Sequence, residues 1–426
     1  MIKFLNIILT FLLPTLVNAQ FTNVELPLPS EATYFYSQVE PSIYINPNDP
    51  RKVVAGSVMN DYYYSKDGGA TWKSKSIYSD FGVNGDPCLL VDNKGYYYYF
   101  HLSNLDGIRL AGGIICQRSK TYKGRFKKES HTEINGKFHD KEWVAYNPKT
   151  EEIYLTWTQF DAYDSDDPRD RSYIVISKSS DYGLTWTAPK IISKYSGDCV
   201  DDDLTAEGAV PAIGPNGEVY VCWARNSKIW FNMSADGGDT WFETEQEIAD
   251  QINGWVLDIP GIFRCNGLPV TICDNSNSKY KGNIYVNWSD QRAGKDNTDI
   301  WLKKSNDNGK TWSDAIRVNT DTSNQHQFLS WLTVDQETGY LYCVFYDRRN
   351  HSDLTTDVYL AVSKDGGDSF KNYKINAESF VPNAKIFFGD YTNISVHNGM
   401  IRPIWASLFN TKIKLYTALI DQQNLD

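Results

Sequence analysis

The chain has 426 residues, a formal net charge of -11 and an aromatic fraction of 14%, with 28 Tyr and 13 Trp. That acidity excludes broad electrostatic binding to nucleic acid or an anionic membrane, but not an anionic sugar held in a local arginine pocket. Length alone allows two or three domains, so the count must come from internal repeats.

The first residues give a basic start at Lys3, an apolar run to Leu13, and Val17, Asn18 and Ala19 before Gln20. This reads as a secretory signal peptide over 1–19, cleaved near Ala19, followed by one domain over 20–426. A secreted or periplasmic monomer without membrane insertion is expected. From Phe21 to Pro27 the chain reads as a lone strand with no partner nearby.

Seven units follow, each a short strand, a turn rich in Asn, Pro and Gly, and an aromatic-rich strand. They run from Ile43 to Val54, Leu90 to Phe100, Val144 to Trp157, Ala212 to Trp223, Ile272 to Trp288, Val334 to Tyr346, and Val396 to Trp405. Five continue to a third strand and an octet of pattern S-x-D-x-G-x-T-W, centred on Asp67, Asp181, Asp236, Asp307 and Asp365; the last copy ends in Ser369 and Phe370. A small hydroxyl ends one strand, Asp caps the turn amides, Gly supplies a positive φ, and Thr-Trp starts the return strand. In the second unit the octet has decayed to the stretch from Ser119 to Phe126, and the seventh unit stops after three strands near Ile420.

A part used once per module fixes the architecture. The prediction is all-β: a seven-bladed β-propeller of four-stranded antiparallel blades, with the N-terminal strand closing the last blade and removing exposed sheet edges.

Seven Cys is odd for a disulfide framework. Cys222 and Cys343 fall on buried strands; pairing of Cys265 with Cys273, or with Cys199, stays open. Neither C-x-x-C nor H-x-x-x-H occurs, so zinc is not expected. The acidic stretches Asp161 to Asp170 and Asp201 to Asp203 offer oxygen ligands for a structural Ca²⁺, although a solvated loop is the simpler reading. No cofactor is expected.

In such a fold the loops entering the inner strands and leaving the second strands share one face, and the octets occupy the other. The first set holds Glu40, Asp86, His139, Asp140, Glu207, Arg264, His326, Asp390 and Tyr391. The second holds Asp61, His101, Gln159, Arg225, Arg292, Tyr346 and Arg348. Carboxylates recurring at inner-strand starts can equally be repeat features bonded to neighbouring blades.

The octet resembles the Asp box (BNR repeat) of sialidases and related propellers, where it is structural. The resemblance implies an exported sialidase-like exo-glycosidase acting on terminal, acidic sugars of glycans. That family uses an Asp acid/base, a Glu that activates a Tyr nucleophile, and an arginine clamp. Transferred here, the catalytic set is Asp61, Glu207 and Tyr346. The substrate-binding set is Arg225, Arg292 and Arg348, with Arg264, Glu40, Asp86 and Tyr391 beside them. Where the family has Phe/Tyr-Arg-Ile-Pro, this chain has Gln38-Val39-Glu40-Pro41, and the count of seven blades differs from the six of catalytic sialidase domains. Two alternatives follow. One is a polysaccharide lyase on uronic-acid glycans, using His101, His139, His326, Tyr391 or Arg264. The other is a non-catalytic glycan-binding or assembly propeller.

Overall fold

The computed structural model describes residues 20–29, 38–104 and 113–425; the signal-peptide reading of 1–19 lies outside them. Among the described residues twenty-eight strands form seven four-stranded sheets, each in simple sequential order except the last. Blade 1 comprises β2 (Ser42–Ile45), β3 (Val53–Ser57), β4 (Asp61–Ser65) and β5 (Lys73–Ser76). Blade 2 comprises β6 (Cys88–Val91), β7 (Tyr97–Leu102), β8 (Ile114–Ser119) and β9 (Lys128–His131). Blade 3 comprises β10 (Phe138–Asn147), β11 (Glu152–Phe160), β12 (Ser172–Ser179) and β13 (Lys190–Ile191). Blade 4 comprises β14 (Glu207–Ile213), β15 (Val219–Arg225), β16 (Lys228–Ser234) and β17 (Gln246–Asp250). Blade 5 comprises β18 (Val270–Cys273), β19 (Ile284–Asp290), β20 (Asp299–Ser305) and β21 (Ile316–Arg317). Blade 6 comprises β22 (Gln327–Val334), β23 (Leu341–Asp347), β24 (Asp357–Ser363) and β25 (Lys371–Lys374).

Blade 7 takes β26 (Asn393–His397), β27 (Met400–Phe409) and β28 (Lys412–Asp421) from the C-terminal end and β1 (Thr22–Glu25) from the other. β1 runs antiparallel to β28, from Thr22 opposite Leu419 to Glu25 opposite Tyr416. The Asn23 amide bridges to blade 6, donating to Ile375 O at 2.8 Å and accepting from Ala377 N at 2.6 Å. The outermost strand thus closes one blade and clips the next.

The octets fold as a local hydrogen-bonded cup. In the fourth blade, Ser234 Oγ accepts from Gly238 N and donates to Asp236 Oδ1, while Asp236 accepts from both the amide and hydroxyl of Thr240 at 2.8 and 2.6 Å. The same set recurs around Asp67, Asp181, Asp307 and Asp365. In three copies the Trp indole closes the cup on the glycine carbonyl: Trp72, Trp241 and Trp312 donate to Gly69, Gly238 and Gly309 at 2.9–3.1 Å.

Each cup also rests on the preceding blade. A methyl group at Gly309 would lie 2.3 Å from the Phe231 ring in blade 4, and one at Gly183 would lie 2.9 Å from Cys116 Sγ in blade 2. The decayed octet keeps this contact. Gly124 sits against Tyr62 of blade 1, and Phe126 packs edge-on to the same ring at 5.2 Å.

Large aromatic side chains on the second strands fill the spaces between blades. Trp157, Trp223, Trp288 and Trp405 are fully buried. All seven cysteines are buried and unpaired. Among the described residues no helix is long and apolar enough to cross a membrane.

Candidate functional site on the propeller axis

The inner strands begin at a backbone conformation that most side chains avoid. Glu40 (φ 51°), Asp86 (φ 48°), Lys141 (φ 52°), Gly208 (φ 78°), Leu329 (φ 50°) and Gly389 (φ 89°) hold positive φ at or beside that start in six blades. In β10, β14 and β22 the register slips at this point, between Asp140 and Trp143, Glu207 and Val210, and Phe328 and Trp331. Such bulges re-aim side chains at strand ends. The residues they re-aim are largely those that line a cavity on the axis.

The cavity has a volume of about 390 Å³. Its wall carries six carboxyl side chains, Glu40, Asp86, Asp140, Asp201, Glu207 and Asp390, and three cations, Lys141, Arg264 and Lys385, below a rim that includes Trp255, Phe263 and Phe387. Deeper on the axis a 20 Å³ void, room for about one water, is lined by Lys141, Asn266, Trp331 and Tyr391 among others.

The carboxyls are organised in hydrogen-bonded pairs: Glu40 with Asp390, Asp140 with Asp86, and Glu207 with Asp201. Burial, reinforced by the neighbouring carboxylates, holds Glu40, Asp140 and Glu207 well above the ordinary carboxylate range. Two carboxyls in contact retain a proton between them, since both cannot ionise at so short a distance. Glu142, buried behind Asp86 and Asp140, is raised for the same reasons. Arg264 ties two pairs together: its Nε donates to Asp390 Oδ1 at 3.0 Å and its Nη1 lies 3.6 Å from Asp201 Oδ2.

Two tyrosines reach this network. Tyr163 donates its hydroxyl to Asp201 Oδ2 at 2.7 Å, and Tyr391 donates to Asp86 Oδ1 at 3.1 Å. Burial, then the adjacent carboxylates, push both phenols up. The Lys141 ammonium lies 3.6 Å from the Tyr391 ring centre and within 5.6 Å of the Trp143 and Trp331 rings. Such an aromatic cage stabilises a cation without neutralising it.

Of the residues singled out from sequence, Glu207, Arg264, Glu40, Asp86, Asp140, Asp390 and Tyr391 come together here. The others do not. Tyr346 is buried, donates its hydroxyl to Ala406 O at 2.9 Å and packs against Phe328, Phe380 and Phe388, away from Glu207. Asp61 is buried at the start of β4, accepting from Ser57 and Tyr63, and burial raises its carboxyl to about 6. Arg348 is buried, donating to Thr356 Oγ1 and Pro260 O. Arg292 is held by Asp290, and Arg225 lines a separate groove.

The lyase histidines also lie in packed interiors. His101 Nδ1 faces Leu102 O at 2.8 Å, His139 stacks on Trp157, and His326 Nδ1 lies 2.9 Å from Thr298 Oγ1; burial lowers each to about 4. Asp201, which the sequence places in a solvated acidic stretch, and Tyr163, which carries no motif, join the cavity residues, together with Lys141 of the inner-strand entry segment from His139 to Trp143. Tyr163 sits in the loop leaving β11, a place on the expected face, and could have been found there.

Among the described residues no group of three or more His, Cys, Asp or Glu side chains is arranged to hold a metal ion. The acidic stretch after β11 is spent on local contacts, with Asp161 bound to Lys137, Asp167 to Arg169, and Asp170 to Ser165.

Residues 63–74 match the family described as BNR/Asp-box repeat. No curated protein matches the sequence. Among solved structures, the chain is similar to a Hadza microbial sialidase, Hz136, at 12% identity and a TM-score of 0.50, covering 87% of this chain and 73% of that one. It is also similar to a polysaccharide lyase, PL25-Ulvanlyase, at 13% identity and a TM-score of 0.54, covering 92% and 96%. A second structure of that lyase, bound to -[GlcA(1-4)Rha3S]-, aligns at 14% identity and a TM-score of 0.53. At these identities the likeness is one of fold. The chain is a propeller of seven four-stranded blades with an Asp-box repeat match in the first.

Proposed function

We propose that this protein is a carbohydrate-active propeller that cleaves a uronate-containing polysaccharide by elimination in the axial cavity. The observation that carries the reading is the hydrogen-bonded run Tyr163, Asp201, Glu207 on one wall, facing the same cavity as Arg264 and Lys141. Elimination removes the proton next to the uronate carboxylate and breaks the bond to the 4-oxygen. It needs a base, an acid for the leaving oxygen, and a cation or hydrogen-bond donor on the carboxylate.

Tyr163 serves as base in a concerted step: its oxygen takes the sugar proton as its own proton moves to Asp201, since the phenol, pushed up by burial, does not rest ionised. Glu207, kept protonated by burial, supplies the proton to the leaving oxygen. Arg264 and Lys141 hold the carboxylate, aided by protonated Glu40 or Asp140 as neutral donors. With each carboxyl pair retaining one proton, the six acids and three cations of the wall balance, so an anionic sugar meets no net repulsion. The fold neighbour described as an ulvan lyase bound to a glucuronate-containing disaccharide agrees in substrate type.

A hydrolytic reading is favoured by one observation, the three carboxyl pairs in which burial holds Glu40, Asp140 and Glu207 well above the ordinary carboxylate range, which suit acid-catalysed glycoside cleavage without any part for Tyr346. The product separates the two. Incubation with uronate polysaccharides is expected to build the absorbance of an unsaturated uronate, and Tyr163→Phe or Glu207→Gln to lower kcat by roughly 100-fold or more. Tyr346→Phe should cost stability by about 1 kcal/mol and leave kcat in place. New reducing ends without unsaturation would assign hydrolysis; no product from any acidic glycan would leave a binding propeller.

A further inference from the structure

Three arginines at the ends of second strands share one construction. Arg225, Arg292 and Arg349 each lie over an aromatic ring of the third strand in their own blade: Trp230 at 4.5 Å, Trp301 at 4.6 Å and Tyr359 at 4.2 Å. In blades 5 and 6 an aspartate two residues earlier fixes the guanidinium. Arg292 Nε donates to Asp290 Oδ1 at 2.9 Å, and Arg349 Nε donates to Asp347 Oδ2 at 2.8 Å. In blade 4 the register puts Arg225 itself, opposite Lys228, at the strand position that Asp290 and Asp347 hold in blades 5 and 6, so no aspartate of its own strand fixes its guanidinium.

Among the described residues the Arg225 guanidinium has one ion pair, a long one to Glu245. Arg225 Nε is buried without a hydrogen-bond partner, and Nη1 makes a 3.3 Å bond to Ser196 O. Glu245 is 3.8 Å from Nη2, but its two oxygens already accept the amides of Lys194 and Tyr195 at 2.9 and 3.1 Å. Arg225 faces a groove of about 580 Å³ that also carries Arg171, Tyr195, Asp198, Lys228 and Trp230. The Arg171 side chain donates only to the Asp170 carbonyl among the described residues, at 3.4 Å, and Tyr195 is 48% exposed. Lys228 is paired with Glu247 and Asp250, so Arg225 and Arg171 are the cations the groove offers to a ligand.

We propose that this groove between blades 3 and 4 is a second glycan subsite, in which the carboxylate or sulfate of an acidic sugar pairs with the unpartnered guanidinium edge of Arg225, as Asp290 and Asp347 pair with Arg292 and Arg349. The guanidinium of Arg225 receives the anion, Arg171 adds charge, and Tyr195 offers its face to the sugar ring. One loop separates groove from cavity, with Asp198 and Leu204 on the groove side and Asp201 in the cavity wall. A single acidic polymer can therefore cross that loop and occupy both; this continuity, unlike the anion site itself, rests on the axial cavity being a glycan site.

The test is the affinity of the full chain for oligoglucuronate, dextran sulfate and unmodified dextran, each titrated at two salt concentrations. Arg171→Ala, Tyr195→Ala and Arg225→Lys are each expected to weaken binding of at least one anionic probe by roughly fivefold or more, with dextran bound by none. The probe that responds more strongly identifies carboxylate or sulfate as the ligand. Because Arg225 is buried, the variants at half-buried Arg171 and exposed Tyr195 decide the matter if Arg225→Lys does not fold. Glu207→Gln is expected to leave this loss pattern intact. If only cavity variants weaken binding, the groove is not a subsite while the cavity reading stands. Unchanged affinity in the folded groove variants, or equal binding of dextran, overturns the proposal.

Discussion

Gly309 shows how one residue serves both the turn and the ring. Its φ of 78° suits glycine, and the missing methyl leaves room for Phe231 of the neighbouring blade. Gly309→Ala is expected to cost about 2–4 kcal/mol, combining left-handed strain with overpacking. Gly95→Ala, at φ 82° with nothing nearby, should cost only the strain, about 1–2 kcal/mol. Denaturant midpoints compare the pair; equal losses would remove the inter-blade contact from the account. The octets were legible because their bonds span four residues and the sequence spells them out. Tyr346 and Arg292 were not, since their roles depend on partners that position alone does not reveal. Asp290 and Asp347, each two residues before an arginine, were the available sign that Arg292 belongs to a blade repeat.

At the scale of elements, the lone N-terminal strand gave the clearest reading, because a sheet edge left unpaired at one end of the chain needs a partner from the other. Leu26, wholly buried just beyond β1, packs with Ile404 and Leu415 of blade 7. Leu26→Ala is expected to cost about 2–5 kcal/mol and to raise amide exchange along β28 before that of blades 3 and 4. Uniform exchange would show that closure does not depend on this strand locally. The inner-strand bulges were hidden from sequence, since the residues at positive φ are Glu, Asp, Lys and Leu as well as Gly. Their carboxylates were read as repeat features or catalytic groups, and they are both repeated and gathered at one cavity.

For the whole molecule, the two faces respond to pH with opposite sign. Glu40, Asp140 and Glu207 on the cavity face have raised pKa values, so their stabilisation is complete below the unfolded carboxylate range and is lost as pH rises through their folded values. Acids of the octets are lowered, Asp307 to about 2 by the hydroxyl and amide of Thr311, so their stabilisation is present above the unfolded value and lost as pH falls. Exposure to solvent keeps that acid-side contribution small. Thermal midpoints against pH should therefore show Glu207→Gln improving the alkaline side alone and Asp307→Asn affecting the acid side alone. A shared effect on both sides would mean that the faces are not independent.

The central claim is that the axial cavity, on the face away from the octets, receives the glycan. Hydrogen exchange with and without oligoglucuronate tests it most directly. Protection is expected at 84–86, 138–142, 163, 201–207, 263–264 and 385–391, with the octet turns unchanged. Protection centred on the octet turns, or none at saturating ligand, would contradict it.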